Sequence, residues 1–485
     1  MLLVLIVSSS VGYFLLQGSP SDCSPLGGKA ILRSRLTPQK TGGAVTTYTL
    51  PSPDRFPNGV AVAADGSVWF GEQGVPGLGH LYSNGTLVEY AWPFNYPGRS
   101  SSSQTCAEKT AIWTVVLWNG RVWAGDESGS QLVGLDPATG SVKMIKLNGT
   151  EVFPYGLTTG PDGALWFTEL FASKIGRVDT AGNLVEYSLP NGKSSVPAEI
   201  AFANSTRGYY VDVGGAGQAG GLYQFNPQKF APVRVGANMT LYAPNSLALG
   251  TGGVWVSQHE AASLVFYDLA TKAWTTYPTS TVNYVDTTLP YFVRVNGSKV
   301  WFNEHYADRI ALIDFAAQSL TEYSIQSRRP ASVGQITNSL TFALGRDGAW
   351  FAEYTGNTIG FVDASFKPGY TNPGKSDALE VSPTTPLNDS GGQQRDTGRV
   401  HSATDRLGRT SISFRLPQGA GSVVRTSTMK SAKGISDIHL VMSYRGPRTV
   451  PSDSPYLMTR TQASEPTFEW TEREILIRYG FWLPK

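Results

Sequence analysis

One alternation recurs along the chain: an aliphatic stretch, a turn carrying Asp-Gly or Gly-Gly, then an aromatic stretch that ends in a polar residue. Its clearest copy is PYGLTTGPDGALWFTE, from Pro154 to Glu169. Related copies begin at Pro57, Pro244, Pro290 and Asn338, with weaker ones around Trp123 and Tyr210. Alternating residues give a strand one inward face, and turn residues at nearly every join make successive strands antiparallel neighbours. The aromatic markers Trp69, Trp123, Trp166, Tyr210, Trp255, Trp301 and Trp350 lie 54, 43, 44, 45, 46 and 49 residues apart. That spacing is close to the ~40–50 residue period of propeller blades. After each marker comes a third strand such as Ile175 to Asp179 and a fourth such as Leu184 to Leu189. The pattern predicts an all-β, seven-bladed β-propeller with four strands per blade.

The ends of the array predict how the ring closes. The seventh unit runs through Ile359 to Asp363 and has no fourth strand after it, while an orphan strand, VTTYTLP from Val45 to Pro51, precedes the first unit. Pairing the two leaves no open sheet edge, so one N-terminal strand is expected to join three C-terminal strands in a shared blade. The long first interval holds a polar insertion, Pro97 to Lys109, which carries Cys106.

Outside residues 45–363 the composition changes. Residues 1–22 open with an apolar run to Leu16 followed by Gly18, Ser19 and Pro20, which reads as a signal peptide or membrane anchor. The expected location is therefore extracellular or at the cell surface, secreted or held by N-terminal membrane contact. Sequons at Asn84, Asn148, Asn204, Asn238, Asn296 and Asn388 are consistent with a glycoprotein. Cys23 and Cys106 form an even pair that could make one disulfide or remain two thiols. Residues 364–399 read as a linker, and residues 400–485 as a basic, poorly ordered C-terminal extension of unknown fold. Within the extension, Ile438 to Tyr444 and Trp470 to Trp482 are the candidates for order.

With 53 glycines, 11% aromatic and only 16% charged residues, composition supports short strands joined by tight turns. A formal net charge of +2 leaves no electrostatic footprint for nucleic acid. No phosphate-cradling Gly loop, zinc-spaced Cys or His cluster, or nucleophile elbow is present in the sequence.

Candidate chemistry comes from the blade geometry, because the start of each innermost strand lies beside the end of the next strand outward. Two sets of positions then share one face of the disc. The first holds Asn58, Tyr155, Ala198, Asn245, Tyr291 and Asn338; the second holds Glu72, Asp126, Glu169, Gln258, Glu304 and Glu353. Converging oxygens suit Mg²⁺ or Ca²⁺, with Glu72, Glu169, Glu304 and Glu353 as ligands. They would equally hydrogen-bond a small polar ligand through Asn58, Tyr155, Asn245, Tyr291 and Asn338, or satisfy loop backbone. His259 and His305 each come one residue after the second position and are the candidate catalytic groups.

At GPDGALWFTE, then KIGRVD, then the Gly182 to Tyr187 segment, the chain resembles the streptogramin B lyase (virginiamycin B lyase) family over Val45 to Asp363. The resemblance implies the seven-bladed fold and a lyase that opens a cyclic depsipeptide by elimination at its ester bond. It implies Mg²⁺ to polarise the substrate and a histidine base in a Pro-His-Gly-Ile motif. Here the matching positions read Pro57-Asn58, Pro154-Tyr155, Pro197-Ala198, Pro244-Asn245 and Pro290-Tyr291, none of them His. The expectation is an exported, monomeric propeller that binds a polar ligand or extracellular protein partner at its channel face. The alternatives are a divalent-metal-dependent lyase or lactonase acting on an ester or lactone, with His259 or His305 as a displaced base, and a structural envelope component.

Overall fold

The computed structural model describes residues 31–365, less 42–43, 53–54, 93–109, 216–218, 237–238, 262, 280, 283–288, 306–307, 317–318 and 326–338, together with seven strands between 400 and 480. Residues 1–22, Cys23, Cys106, Asn238, Asn338, Asn388 and the linker beyond Ser365 lie outside the described residues. The helical content among the described residues is one 3₁₀ turn, Gly192–Ser194, and no helix is long and apolar enough to cross a membrane.

Seven antiparallel sheets succeed one another along the chain as predicted. Blade three is the simplest: Pro154–Thr159, Leu165–Glu169, Lys174–Val178 and Leu184–Ser188 pair in sequence order. Its marker, Trp166, is fully buried and meets Phe202 and Phe225 of blade four edge-on or tilted, so the aromatic belongs to the seam between sheets. Trp69 and Trp123 cluster likewise with blades two and three. Such a residue buries on the order of 150–250 Å² of apolar surface, which explains why one recurs per blade. Within blade three, Phe167 lies in register with Gly176, and a Cβ on that glycine would collide with the ring. The same Phe–Gly pair recurs as Phe70 with Gly79 and Phe351 with Gly360.

The ring closes as the sequence predicts, with one addition. Val45–Thr49 pairs antiparallel with Thr358–Asp363, from Val45 opposite Val362 to Thr49 opposite Thr358. Gln39–Thr41 then adds outside it, so the shared blade holds two N-terminal strands with three C-terminal ones. A further strand, Ile31–Arg35, pairs with Thr86–Ala91 on the outer edge of blade one. Across the closure, Leu36, Leu50, Val60 and Phe70 pack with Ala352 and Ile359.

The seven strands after residue 400 include both segments singled out as candidates for order. Gly434–Tyr444 is the longest strand of a six-stranded sheet, and Thr467–Thr471 pairs with Glu474–Gly480. Glu474–Gly480 also pairs with Ser319–Ser324, the fourth strand of blade six.

Candidate functional site at the channel mouth

In six blades register sets the start of the innermost strand opposite the end of the second strand. Pro57 is opposite Glu72, Pro154 opposite Glu169, Pro197 opposite Asp212, Pro244 opposite Gln258, Pro290 opposite Glu304 and Ser339 opposite Glu353. In blade four the marker is Tyr209, opposite Ala201, rather than Tyr210. The acid position there is consequently Asp212, one residue from where the sequence spacing falls.

Just after each proline the innermost strand breaks register, between Pro154 and Leu157, Pro197 and Ile200, Pro244 and Leu247, and Pro290 and Val293. A bulge unpairs a residue and re-aims its side chain. Tyr155, Ala198, Asn245 and Tyr291 all sit in such bulges. The residue before the proline is left-handed in four blades, with φ of 48°, 56°, 46° and 52° at Phe56, Phe153, Ala243 and Leu289. Positive φ at bulky residues costs on the order of 1–3 kcal/mol each, so the neighbouring structure must hold these turns.

A clamp unseen in the sequence does part of that work. Thr168 accepts a hydrogen bond from Gly156 N at 2.9 Å and donates to Ala198 O of the next blade at 2.5 Å. Ser257 accepts from Ser246 N at 3.1 Å and donates to Tyr291 O at 2.5 Å. Asn303 accepts from Phe292 N at 2.7 Å and donates to Ser339 O at 2.6 Å. Each residue immediately precedes the acid position and ties its own bulge to the neighbouring strand. Blades one and two have Gly71 and Gly125 there, where a side chain would run into Ile112 or the Pro154 carbonyl. The signal was present as the Thr, Ser or Asn before Glu, Gln and Glu in WFTE, WVSQ and WFNE.

The acids themselves are held within their own blades. Glu169 lies 4.0 Å from Lys174, which bonds Glu186 at 2.9 Å. Glu304 lies 3.5 Å from Arg309, which is 3.1 Å from Glu322. Glu72 is 3.9 Å from Arg55, which bonds Glu89 at 2.8 Å. Burial, then Glu186, pushes the Glu169 carboxyl up to about 8, and burial, then Glu89, raises Glu72 well above the usual carboxylate range. Asp126 accepts from Thr110 at 2.5 Å and from Gln131 at 2.7 Å. Glu353 is buried at the end of its strand. Among the described residues no three His, Cys, Asp or Glu side chains converge in a way that could hold a metal ion.

Two of the predicted amides also make hydrogen bonds within the ring. Asn58 is fully buried and accepts from Thr341 Oγ1 at 2.7 Å, which in turn accepts from Gly59 N, tying blade one to blade seven. Asn245 donates to Ala243 O at 3.0 Å.

What the fold does bring together is Tyr155, Tyr291, His259 and His305, from blades three, five and six, with Trp113. The Tyr155 hydroxyl donates to the Tyr291 hydroxyl at 2.8 Å. Trp113 lies 5.3 Å and 5.7 Å from the two tyrosine rings. The rings of His259 and His305 are each 5.2 Å from Tyr291, edge-on, and stack on each other at 5.0 Å. Their Nε2 atoms are 2.7 Å apart, and His259 Nδ1 lies 3.0 Å from Glu260 Oε1. Beneath, Arg294 and Glu199 pair at 2.8 Å between blades six and four, and Ser246 of blade five donates to Glu199. Burial raises both tyrosine hydroxyls above their ordinary range, and burial together with His259 holds His305 well below it. Chemically, the cluster offers neutral donors, neutral acceptors and aromatic faces.

A seven-bladed β-propeller with a bulged, aromatic channel mouth is the class that fold and geometry define. Its likeness is to virginiamycin B lyase. The Virginiamycin B lyase family profile matches residues 108–212. Virginiamycin B lyase of Nocardia farcinica (strain IFM 10152) is 28% identical over 173 residues, 36% of this chain and 54% of that relative, so the match spans about half the relative's length. The crystal structure of virginiamycin B lyase from Staphylococcus aureus superposes with a TM-score of 0.53 at 19% identity, covering 66% of this chain and 98% of that one. A catalytically inactive His-to-Ala form of the S. aureus enzyme with quinupristin gives a TM-score of 0.54 at 19% identity, with the same coverage. At these identities the superpositions show the fold.

Proposed function

We propose that this chain is an exported propeller that binds a neutral, polar, peptide-like ligand at its channel mouth without opening it. The carrying observation is the cross-ring cluster of Tyr155, Tyr291, His259 and His305 beside Trp113, which joins blades far apart in sequence. Aromatic walls with a few fixed polar groups are the usual composition of a small-molecule site. The prolines that the family motif pairs with histidine precede Asn58, Tyr155, Ala198, Asn245 and Tyr291 here. Export is supported by the apolar stretch within residues 1–22.

A second reading, a C–O lyase with a displaced base, is favoured by His305, whose buried Nδ1 has no hydrogen-bond partner. One experiment separates the two. Purified protein is incubated with quinupristin, tryptophan fluorescence reports binding, and mass spectrometry reports ring opening. The expected result is quenching that weakens about tenfold or more in Tyr291→Ala, with the ring intact. Absence of binding would sink the ligand reading, and turnover lost in His305→Ala would put the lyase in its place. A positioned base typically supplies about 10²–10⁴ in rate, so the two outcomes are far apart.

A further inference from the structure

The histidine pair carries a constraint that the binding reading does not use. Two Nε2 atoms 2.7 Å apart need one proton between them, so one ring donates and the other accepts. Glu260 decides which. Its hydrogen bond from His259 holds its carboxyl below the usual range, so it is an acceptor only, and His259 must carry its proton on Nδ1, 3.0 Å away. An uncharged imidazole carries one proton, so with that proton on Nδ1 the Nε2 of His259 is an acceptor. The donor across the 2.7 Å gap is then the Nε2–H of His305. That leaves His305 Nδ1 as a lone pair, buried, with no hydrogen-bond partner. An unmade hydrogen bond at a buried acceptor is unfavourable, and no described residue donates to this nitrogen.

We infer that Glu260 and His259 lock His305 as its Nε2–H tautomer, so that Nδ1 serves as the mouth's acceptor for one hydroxyl or amide N–H of the ligand. The inference rests on the proposed ligand site and names one contact within it. Glu260 is a positioning residue here, acting through His259, since its own carboxylate is satisfied by that ring. Which nitrogen of a histidine is free is commonly set by the bond the other nitrogen makes, and in this pair the setting is passed through two rings. The 46-residue separation of His259 and His305 equals that of their markers Trp255 and Trp301, so the two rings occupy the same position in adjacent blades and are brought face to face by the blade repeat.

The test is a long-range ¹H–¹⁵N correlation spectrum of the full chain labelled at histidine, recorded near pH 7.5. The expected spectrum shows His305 with Nδ1 in the unprotonated range and Nε2 in the protonated range, as one tautomer. In Glu260→Ala and in His259→Phe that pattern should collapse towards an average of the two tautomers, a change that a merely structural Glu260 would not produce. A proton on His305 Nδ1 in the wild-type chain would overturn the inference, whatever quinupristin does. Should quinupristin quench tryptophan fluorescence while the His305 Nδ1 resonance stays in place, the ligand site stands and this contact within it falls. A displaced Nδ1 resonance on saturation supports both.

Discussion

Single residues at the mouth divide into those bonded within their own blade and those bonded across blades, and burial alone does not separate them. Glu169 and His305 are both buried, yet the first is walled in by Lys174 and Glu186 of its own blade while the second reaches across blades to His259. The acid positions were legible in the sequence as a recurring Glu after Trp-Phe, at the end of the second strand of their blades. Their partners were not legible, because Lys174 and Arg309 become neighbours of Glu169 and Glu304 only through strand register. The Glu169 carboxyl, pushed up to about 8 by burial and then by Glu186, gives a test of that assignment. In the unfolded chain a glutamate loses its proton near pH ~4.3, whereas the folded chain keeps it to about 8. Between those values the folded state binds more protons than the unfolded state, so this group's contribution is fully present at the acid end and is lost as pH rises. Glu169→Gln, neutral throughout, should remove that part of the slope. Unfolding free energies measured from about pH 4.5 to 8.5 should show the variant gaining on the wild type by an amount on the order of a few kcal/mol. A constant difference between the two curves across the window would refute the raised carboxyl.

At the level of strands and blades, the repeat was readable because each unit must bury an aromatic against its neighbour and end its second strand at the same face. Blade four escaped by one residue: with Tyr209 and Tyr210 adjacent and no tryptophan, spacing alone cannot choose the marker, and only the pairing with Ala201 does. The outer strands Ile31–Arg35 and Gln39–Thr41 were not foreseen, since edge strands make no seam and so show no repeat. The clamp of Thr168, Ser257 and Asn303 was visible as residue types but had no meaning until the bulges were placed. Closure, in contrast, was legible from the missing fourth strand of the last unit, and its energetic weight can be measured. Val45 and Leu50 are buried, and Val45–Thr49 supplies the fourth strand of blade seven. Deleting residues 45–51 exposes the edge of Thr358–Asp363 and the Leu36, Phe70 and Ile359 cluster, which at about 25 cal/mol per Å² of apolar surface should cost several kcal/mol. Denaturant unfolding of the deletion should show a sharply lower midpoint, and an unchanged midpoint would mean that the ring closes some other way.

For the whole molecule the question is whether the ring depends on the tail beyond residue 365. Its closure is made by residues 45–49 and 358–363, so every blade from one to seven completes four strands without any residue beyond 365. The tail strand Glu474–Gly480 instead adds outside Ser319–Ser324, as a fifth strand on a blade that already has four. Such an outer strand blunts an edge and contributes its own pairing, but it is not part of the seams that hold blade to blade. The Pro-, Gly-, Ser- and Thr-rich stretch between ring and tail marks where the two would be parted, because its composition offers little apolar surface to bury. Limited proteolysis should therefore cut first within residues 366–399 and leave a fragment ending near there that stays folded. A chain truncated after residue 365 should keep the near-ultraviolet signal of the ring's own tryptophans and lose less stability than the deletion of residues 45–51, with the loss confined to the two ring strands that the tail pairs with. Hydrogen exchange read on the Ser319–Ser324 amides and on Thr281–Val282, which pairs with Tyr456–Met458, would report that local loss, and those amides should become faster to exchange. If the truncated chain instead melts as early as the closure mutant, or if exchange rises equally in all seven blades, the tail is a structural part of the ring and the independent-propeller reading is wrong.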